Sequence, residues 1–359
     1  MTSIAFYGSS LLSSYWNGAA TYYRGMLRAL AGHGYDITFY EPDVHDRGAN
    51  RDMEVPDWAR VVVWEGTHDA LRCVAAEAGK ADIVVKASGV GYEDDMILDE
   101  VMKAARPGAL RLFWDVDAPA TLAEMQADPD SPLRAALPDL DMVLTYGGGD
   151  PVVQAYTALG ARTCVPIYNA CDPDTHHPVP AEARFAGDLG FLGNRLPDRE
   201  ARVEEFFFGP ARMLPDMRFL IGGSGWDHVP RNVTRLGHVG TRDHNAFNRS
   251  PRMVLNIARD SMAATGFSPA TRVFEAAGAG ACLITDYWEG IEQFLEPGEE
   301  VLVARSGAEV AQLLREIRPE QAEAIGQAAR KRILAGHTYD KRAEQVDALF
   351  RAHMAKETA

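Results

Sequence analysis

Cysteine is scarce in this chain, and what there is carries no motif. Cys73, Cys164, Cys171 and Cys282 are the four among 359 residues. No two stand in a C-x-x-C pair, so the usual signatures of structural zinc and dithiol redox chemistry are missing. They read as buried, reduced thiols. Basic residues are also in deficit: 36 Lys and Arg face 51 Asp and Glu, a formal net charge of −15. That balance argues against a nucleic-acid-binding surface, which needs a basic face. It does not exclude a local basic cleft, because net charge says nothing about distribution. No apolar run approaches the ~20 residues of a membrane span. The N-terminus MTSIAFYGSS lacks a basic segment followed by a long apolar stretch, so the chain reads as cytoplasmic without a signal peptide. There is no internal repeat, no low-complexity segment, and no G-x-G-x-x-G after the first strand.

What is present is an alternation. Apolar content of 47% is enough for sizeable cores, and the length suggests two domains. Strand patterns at 3–8, 35–42, 60–66, 81–89, 110–117 and 142–149 are separated by helical ones at 19–30, 68–79, 99–108 and 151–159. Short apolar strands alternating with helices predict βαβ units and a parallel sheet. The proline-containing stretch 166–187 interrupts the pattern and reads as a linker. The alternation restarts at 188–194 and continues through strands at 217–223, 234–240, 251–260, 281–286 and 300–305. Helices are expected over 201–214, 270–279, 307–318, 319–335 and 339–354. The domains expected are 1–165, 188–338 and a terminal helical segment, 339–359, that crosses back to the first. The fold class is α/β, with two doubly wound, Rossmann-like domains facing across a cleft. Ligands of such sheets bind at the carboxyl ends of the strands.

Four loops at those ends carry candidate chemistry. The first is FSPATRVFEAAGAGACLITD, 267–286. Ser268 reads as an N-cap, Pro269 suits the first helical position, and Gly280 ends the helix. A helix N-terminus favours phosphate. Arg272 adds a planar cationic fork, and Glu275, three residues on, shares its face. A carboxylate there repels phosphate but accepts the hydroxyls of a ribose. The alternative is a solvated Arg–Glu pair worth ~0.2–0.5 kcal/mol. The second is GFLGNRLPDRE, 190–200, where Gly193 and Asn194 permit close backbone approach and Arg195 and Arg199 suit phosphate. On its own this stretch reads rather as an ordinary polar βα loop with two surface arginines. The third is the loop before 19–30, with Asn17 and Gly18 preceding the helix as ligand contacts or as turn residues. The fourth is FWDVDAP, where Asp115 and Asp117 share a face at a strand end and suit a general base. Helix capping is the competing role for Asp117. His68 is a further candidate base. His176 and His177, in the linker, have no partner at zinc-like spacing.

Taken together, these segments resemble the group-1 glycosyltransferase domain of spore-maturation CgeB-like proteins. DLGFLGNRLPDRE, FLIGGSGW, VTRLGHV, MVLNIARDSM and SPATRVFEAAGAGACLITDYWEGIEQFLEPGEEVLV carry the likeness over roughly 188–345. NGAATYYRGMLRALAGHGYDITFYEPD and FWDVDAP extend it into the first half. The resemblance implies a GT-B architecture, a nucleoside-diphospho-sugar donor (a UDP-sugar foremost) held by the second domain, a hydroxyl acceptor, no cofactor and no required metal. It places Glu275 on the ribose, Arg199 and the Ser268–Arg272 turn near the diphosphate, and His238 and Val239 near the base. Many retaining relatives carry a second glutamate seven positions before the ribose-binding one, where this chain has Ser268. The expected function is metal-independent sugar transfer. A nucleotide-sugar epimerase or a catalytically silent carbohydrate- or nucleotide-binding protein are the alternatives, and the missing glycine fingerprint disfavours a dehydrogenase.

Overall fold

The central strands of both halves are closed to water along nearly their whole length. IVVKA at 83–87 and LITD at 283–286 are buried at every position. Strands closed to water on both faces belong to parallel sheets covered by helices, and the computed structural model, which describes residues 1–15 and 17–357, shows two of them. The chain divides into one unit of Met1–Tyr168 with Tyr339–Ala359, and a second of Asn169–Thr338.

The first unit runs β1 (Thr2–Tyr7), α1 (Ala20–Gly32), β2 (Tyr35–Asp43), β3 (Arg60–Glu65), α2 (His68–Ala76), β4 (Ile83–Ala87), α3 (Asp94–Ala104), β5 (Leu110–Asp115), α4 (Ala118–Ala127), α5 (Pro132–Ala136), β6 (Met142–Thr145), α6 (Gly149–Ala158) and β7 (Cys164–Pro166). Its seven strands are all parallel, in the order β3-β2-β1-β4-β5-β6-β7. The order reverses between β1 and β4, which makes that gap the expected ligand crevice of the sheet.

The second unit contains β8 (Gly187–Leu192), α7 (Glu200–Val203), α8 (Gly209–Met213), β9 (Phe219–Gly222), β10 (Val233–Gly237), α9 (His244–Arg249), β11 (Pro251–Asn256), α10 (Asp260–Thr265), α11 (Thr271–Gly278), β12 (Leu283–Asp286), β13 (Leu302–Ala304), α12 (Gly307–Glu316) and α13 (Pro319–Gly336). Its parallel order is β10-β9-β8-β11-β12-β13, with the reversal between β8 and β11. The terminal helix α14 (Tyr339–Glu357) packs in the first unit. Gly25 of α1 is what lets it come close, since a Cβ there would sit 2.2 Å from the ring of Tyr339.

Three local expectations are revised. The 201–214 helix is α7 and α8 joined through a π turn at Glu204–Phe208. The short helices α4, α5, α9 and α10 and the strand β7 were not foreseen. The helix expected from Ser268 begins at Thr271, with Ala270 as its N-cap in extended geometry and no side-chain cap. Ser268 and Pro269 instead belong to the approach loop, which turns sharply through Gly266 (φ 71°) and Phe267 (φ 46°). The far end is as read: Gly280 is left-handed (φ 75°), and the amides of Gly280 and Ala281 donate to the carbonyls of Ala277 and Ala276.

Candidate functional site

In the second unit the crevice between β8 and β11 is walled by the loops that follow those strands. Gly193 continues β8: its amide donates to the Gly222 carbonyl at 2.9 Å, and the Gly193 carbonyl accepts from Trp226 Nε1 at 2.8 Å. The loop after β9 crosses so close that a Cβ on Gly223 would stand 2.2 Å from that carbonyl oxygen. Arg199 folds back under this turn. Its Nη2 donates to the Asn194 carbonyl at 2.6 Å, its guanidinium lies 5.5 Å from the Phe191 ring centre, and its Nε is buried without a partner. Burial pushes its pKa down, and the neighbouring Arg272 pushes it further. From the β11 side, Arg259 reaches Asp198 at 2.5 Å, tying the two loops together. Asp286, fully buried at the end of β12, accepts from the Ala258 amide and from Arg202. It fixes the floor of the crevice.

Arg272 stands in the first turn of α11, half-buried, with Nη1 donating to Asn248 Oδ1 at 3.3 Å. Burial pushes its pKa down, and Glu275 offsets part of this. Two half-buried guanidinium groups, of which Arg272 depresses Arg199, make a site that the charge of a diphosphate would suit.

Glu275, on the same face of α11, is 9% exposed. Among the described residues its carboxylate accepts no hydrogen bond. Its one ion-pair contact is with His176 Nε2, at 3.8 Å. Burial pushes its pKa up, but Arg272, His176 and His244 more than reverse this and hold it below the ordinary carboxylate value. A buried, ionised carboxylate with open acceptor capacity suits a diol.

Other expected residues fare differently. Asn194 is spent on the loop itself: Oδ1 accepts the Ser224 amide at 2.9 Å. Arg195 points outward into a surface pair with Glu200, so the phosphate role expected of it is not supported. His238 is exposed in the loop after β10. Val239 beside it is buried against Gly222. Ser268 is buried just before α11, in the approach loop rather than at the helix cap.

In the first unit, Asn17 is a strut. Its Oδ1 accepts from Ser9, and its Nδ2 donates to the carbonyls of Ser10 and Ser13, which uses its amide to hold the loop after β1. Gly18 is exposed, with open space beside it. Asp115 is not available as a base. It is fully buried and accepts from Tyr156 at 2.5 Å, from Thr121 and from the Asp117 amide, and burial pushes its pKa up. Asp117 is half-buried at the N-cap of α4 and does not cap it with its side chain. His68 opens α2 after the edge strand β3 and pairs with Glu93 at 3.1 Å. Three strands separate β3 from β5, so His68 and Asp117 flank the reversal point on opposite sides.

Sequence reasoning weighed His176 only as a metal ligand and set it aside, and it did not raise His244 or Asn248. They come from the linker and α9, and no spacing links them to α11. No group of three His, Cys, Asp or Glu among the described residues is disposed to hold a metal ion. Nor, among those residues, is any helix long and apolar enough to cross a membrane.

Residues 199–348 match the family described as glycosyl transferase-like. A comparison with curated protein sequences finds no match. Among solved structures, the sucrose-phosphate synthase of Thermosynechococcus elongatus is similar with a TM-score of 0.72 at 15% identity, over 99% of this chain and 100% of that one. HepE from Anabaena, in complex with UDP and glucose, gives 0.67 at 12% identity, over 98% and 100%. T4 phage BGT, in complex with its UDP-glucose substrate, gives 0.59 at 11% identity, over 99% of each. At such identities the structures speak for the fold, and the family match speaks for the second unit. The chain thus has the GT-B fold, two parallel, doubly wound sheets, and its residues 199–348 are similar to the glycosyl transferase-like family.

Proposed function

We propose that the protein moves a sugar from a nucleoside-diphospho-sugar to a hydroxyl acceptor without a metal ion, with a UDP-sugar as the first donor to test. The carrying observation is the buried Glu275 carboxylate, which accepts no hydrogen bond and lies one turn beyond Arg272 at the crevice of the second sheet. Glu275 takes the ribose hydroxyls. Arg272, Arg199 and the first amides of α11 take the diphosphate. Breaking the bond between the anomeric carbon and the phosphate oxygen leaves negative charge on the leaving diphosphate. Cations and helix amides already in place stabilise that charge without reorganising. The UDP bound by HepE and the UDP-glucose bound by T4 phage BGT support the uridine choice. Asp117, at the end of β5, is the base we assign to the acceptor hydroxyl in an inverting reaction. Four cysteines without a disulfide favour a reducing compartment, the cytoplasm. The motifs quoted above favour the CgeB-like branch.

Calorimetry with UDP, GDP and UDP-glucose tests the reading, alongside product analysis. Arg272→Ala is expected to weaken UDP at least tenfold and to cut turnover by about 10²–10³. Unchanged affinity and turnover in that variant would refute the assignment. Tight UDP binding with no UDP released from any donor would favour the silent binder, and an isomerised nucleotide sugar would favour the epimerase.

A further inference from the structure

The small-residue run of α11 has a use beyond tight packing. Gly278 lies three residues after Glu275 and so shares its face. A Cβ on Gly278 would stand 2.5 Å from Cys171 Sγ, 3.0 Å from the His176 carbonyl oxygen and 3.3 Å from His176 Cβ. The absent side chain is a notch, and the segment Cys171–His176 fills it.

That segment is held as a rigid turn. The Asp172 carbonyl accepts the His176 amide at 2.8 Å, while the Asp172 carboxylate accepts from the Thr175 hydroxyl at 2.7 Å and the Asp174 amide at 3.1 Å. Asn245 Nδ2 binds the Thr175 carbonyl at 2.8 Å, which fastens the turn to α9. The result is a histidine, 4% exposed, with Nε2 at 3.8 Å from Glu275 Oε1 and Nδ1 buried without a partner. The groups facing Glu275 are Arg272 from its own helix, His176 from the turn and His244 from α9. Arg272 is drawn toward Asn248. Of the three, His176 is the one whose nitrogen comes within 4.0 Å of a carboxylate oxygen, at 3.8 Å, and it is the contact that locates the carboxylate.

We propose that His176 is a positioning residue for Glu275. In this role it holds the carboxylate in register with the vicinal diol of a bound ribose, and it sets the preference for ribonucleotides over nucleotides lacking those hydroxyls. The inference rests on the assignment of Glu275 to the ribose.

The test is the ratio of dissociation constants for 2′,3′-dideoxyuridine diphosphate and UDP, measured by calorimetry on the full chain. The wild type is expected to favour UDP by about tenfold or more, the worth of a hydrogen bond to a charged acceptor. Glu275→Gln should bring the ratio towards one. His176→Phe should lower it at least threefold while leaving the affinity for the dideoxy compound unchanged, a split that loss of packing alone would not produce. His176→Gln keeps an N–H near the position of Nε2 and should retain the ratio. His176→Asn moves the amide to the position of Nδ1 and should lose it. This pair carries the test if the Phe variant fails to fold by thermal melting. A ratio that falls in Glu275→Gln but holds in both His176→Phe and His176→Asn overturns the role of His176 and leaves the ribose assignment standing. A ratio near one in the wild type, or one unmoved by Glu275→Gln, overturns both.

Discussion

Tyr156 donates its hydroxyl to Asp115 across 2.5 Å, and both groups are sealed from water within the first unit. Removing one partner of a buried, charge-assisted bond leaves the other unsatisfied. Tyr156→Phe is therefore expected to cost about 1.5–3 kcal/mol, read as a lower midpoint in urea unfolding with an unchanged slope. The same contact shows why single residues were unequally legible. Arg272 and Glu275 could be paired on paper because helical spacing is local. Asp115 and Asp117 could be placed on one strand end for the same reason. That Tyr156 would claim Asp115 depends on how α6 lies over β5, and no local pattern encodes it. Asn17 could be placed in the loop after β1, but its strapping to Ser9, Ser10 and Ser13 depends on a fold-back that local turn chemistry leaves open. Arg195 and Arg199 looked alike in the sequence. One turns out towards Glu200, and the other turns in beneath Gly193, where a Cβ would meet its Nη2 at 2.7 Å.

Among elements, α13 comes close to the turn that ends α11. A Cβ on Gly326 would come within 2.3 Å of the Gly280 carbonyl oxygen and 2.9 Å of the Ala281 carbonyl carbon. These are backbone atoms of the turn that ends α11, so they yield only by moving the turn. Gly326→Ala gains roughly 1 kcal/mol in helix propensity and loses about 1–3 kcal/mol or more to overpacking. A net fall in melting temperature is expected, with weaker UDP binding if the shift travels along α11. A variant as stable as the wild type would show that the contact relaxes without loss. At this scale the sequence was most informative. The alternation of apolar runs with helical segments announced two parallel sheets, because strands buried on both faces leave no polar side to blur the signal. The losses were the short helices α4, α5, α9 and α10 and the onset of α11. Ser268-Pro269 has the chemistry of a helix start. The chain leaves Phe267 in a left-handed conformation and stays extended at Ala270, and that geometry is imposed by Glu289 and Gly290, far along the sequence.

Over the whole molecule, a net charge of −15 conceals carboxylates that titrate in opposite senses. Burial raises Asp115. Between the ordinary carboxylate value of ~3.9 and its raised folded value, the native chain keeps a proton that the unfolded chain has lost. Its stabilisation is complete below the ordinary value and disappears as pH rises through the folded one. For Asp94, burial is outweighed by Lys86 and the amides of Gly91 and Val90, which hold it low. Its stabilisation is present above the ordinary value and disappears as pH falls through the folded one. In urea titrations at a series of pH values, the stability of the wild type relative to Asp115→Asn should therefore diminish as pH rises. Relative to Asp94→Asn it should diminish as pH falls. Parallel profiles would remove these two groups from the account.

The return of α14 to the first unit has a consequence for biogenesis. All seven strands of the first sheet leave the ribosome before the second unit is made. Yet the helix that carries Tyr339, Ala343, Val346 and Phe350 into the first core is synthesised after Asn169–Thr338. At about 5–20 residues per second, the nascent sheet waits roughly ten to thirty seconds with the seam around Tyr22, Gly25 and Tyr35 bare. The later-made unit is continuous, so every segment of its core is present once Thr338 is made, with no such wait.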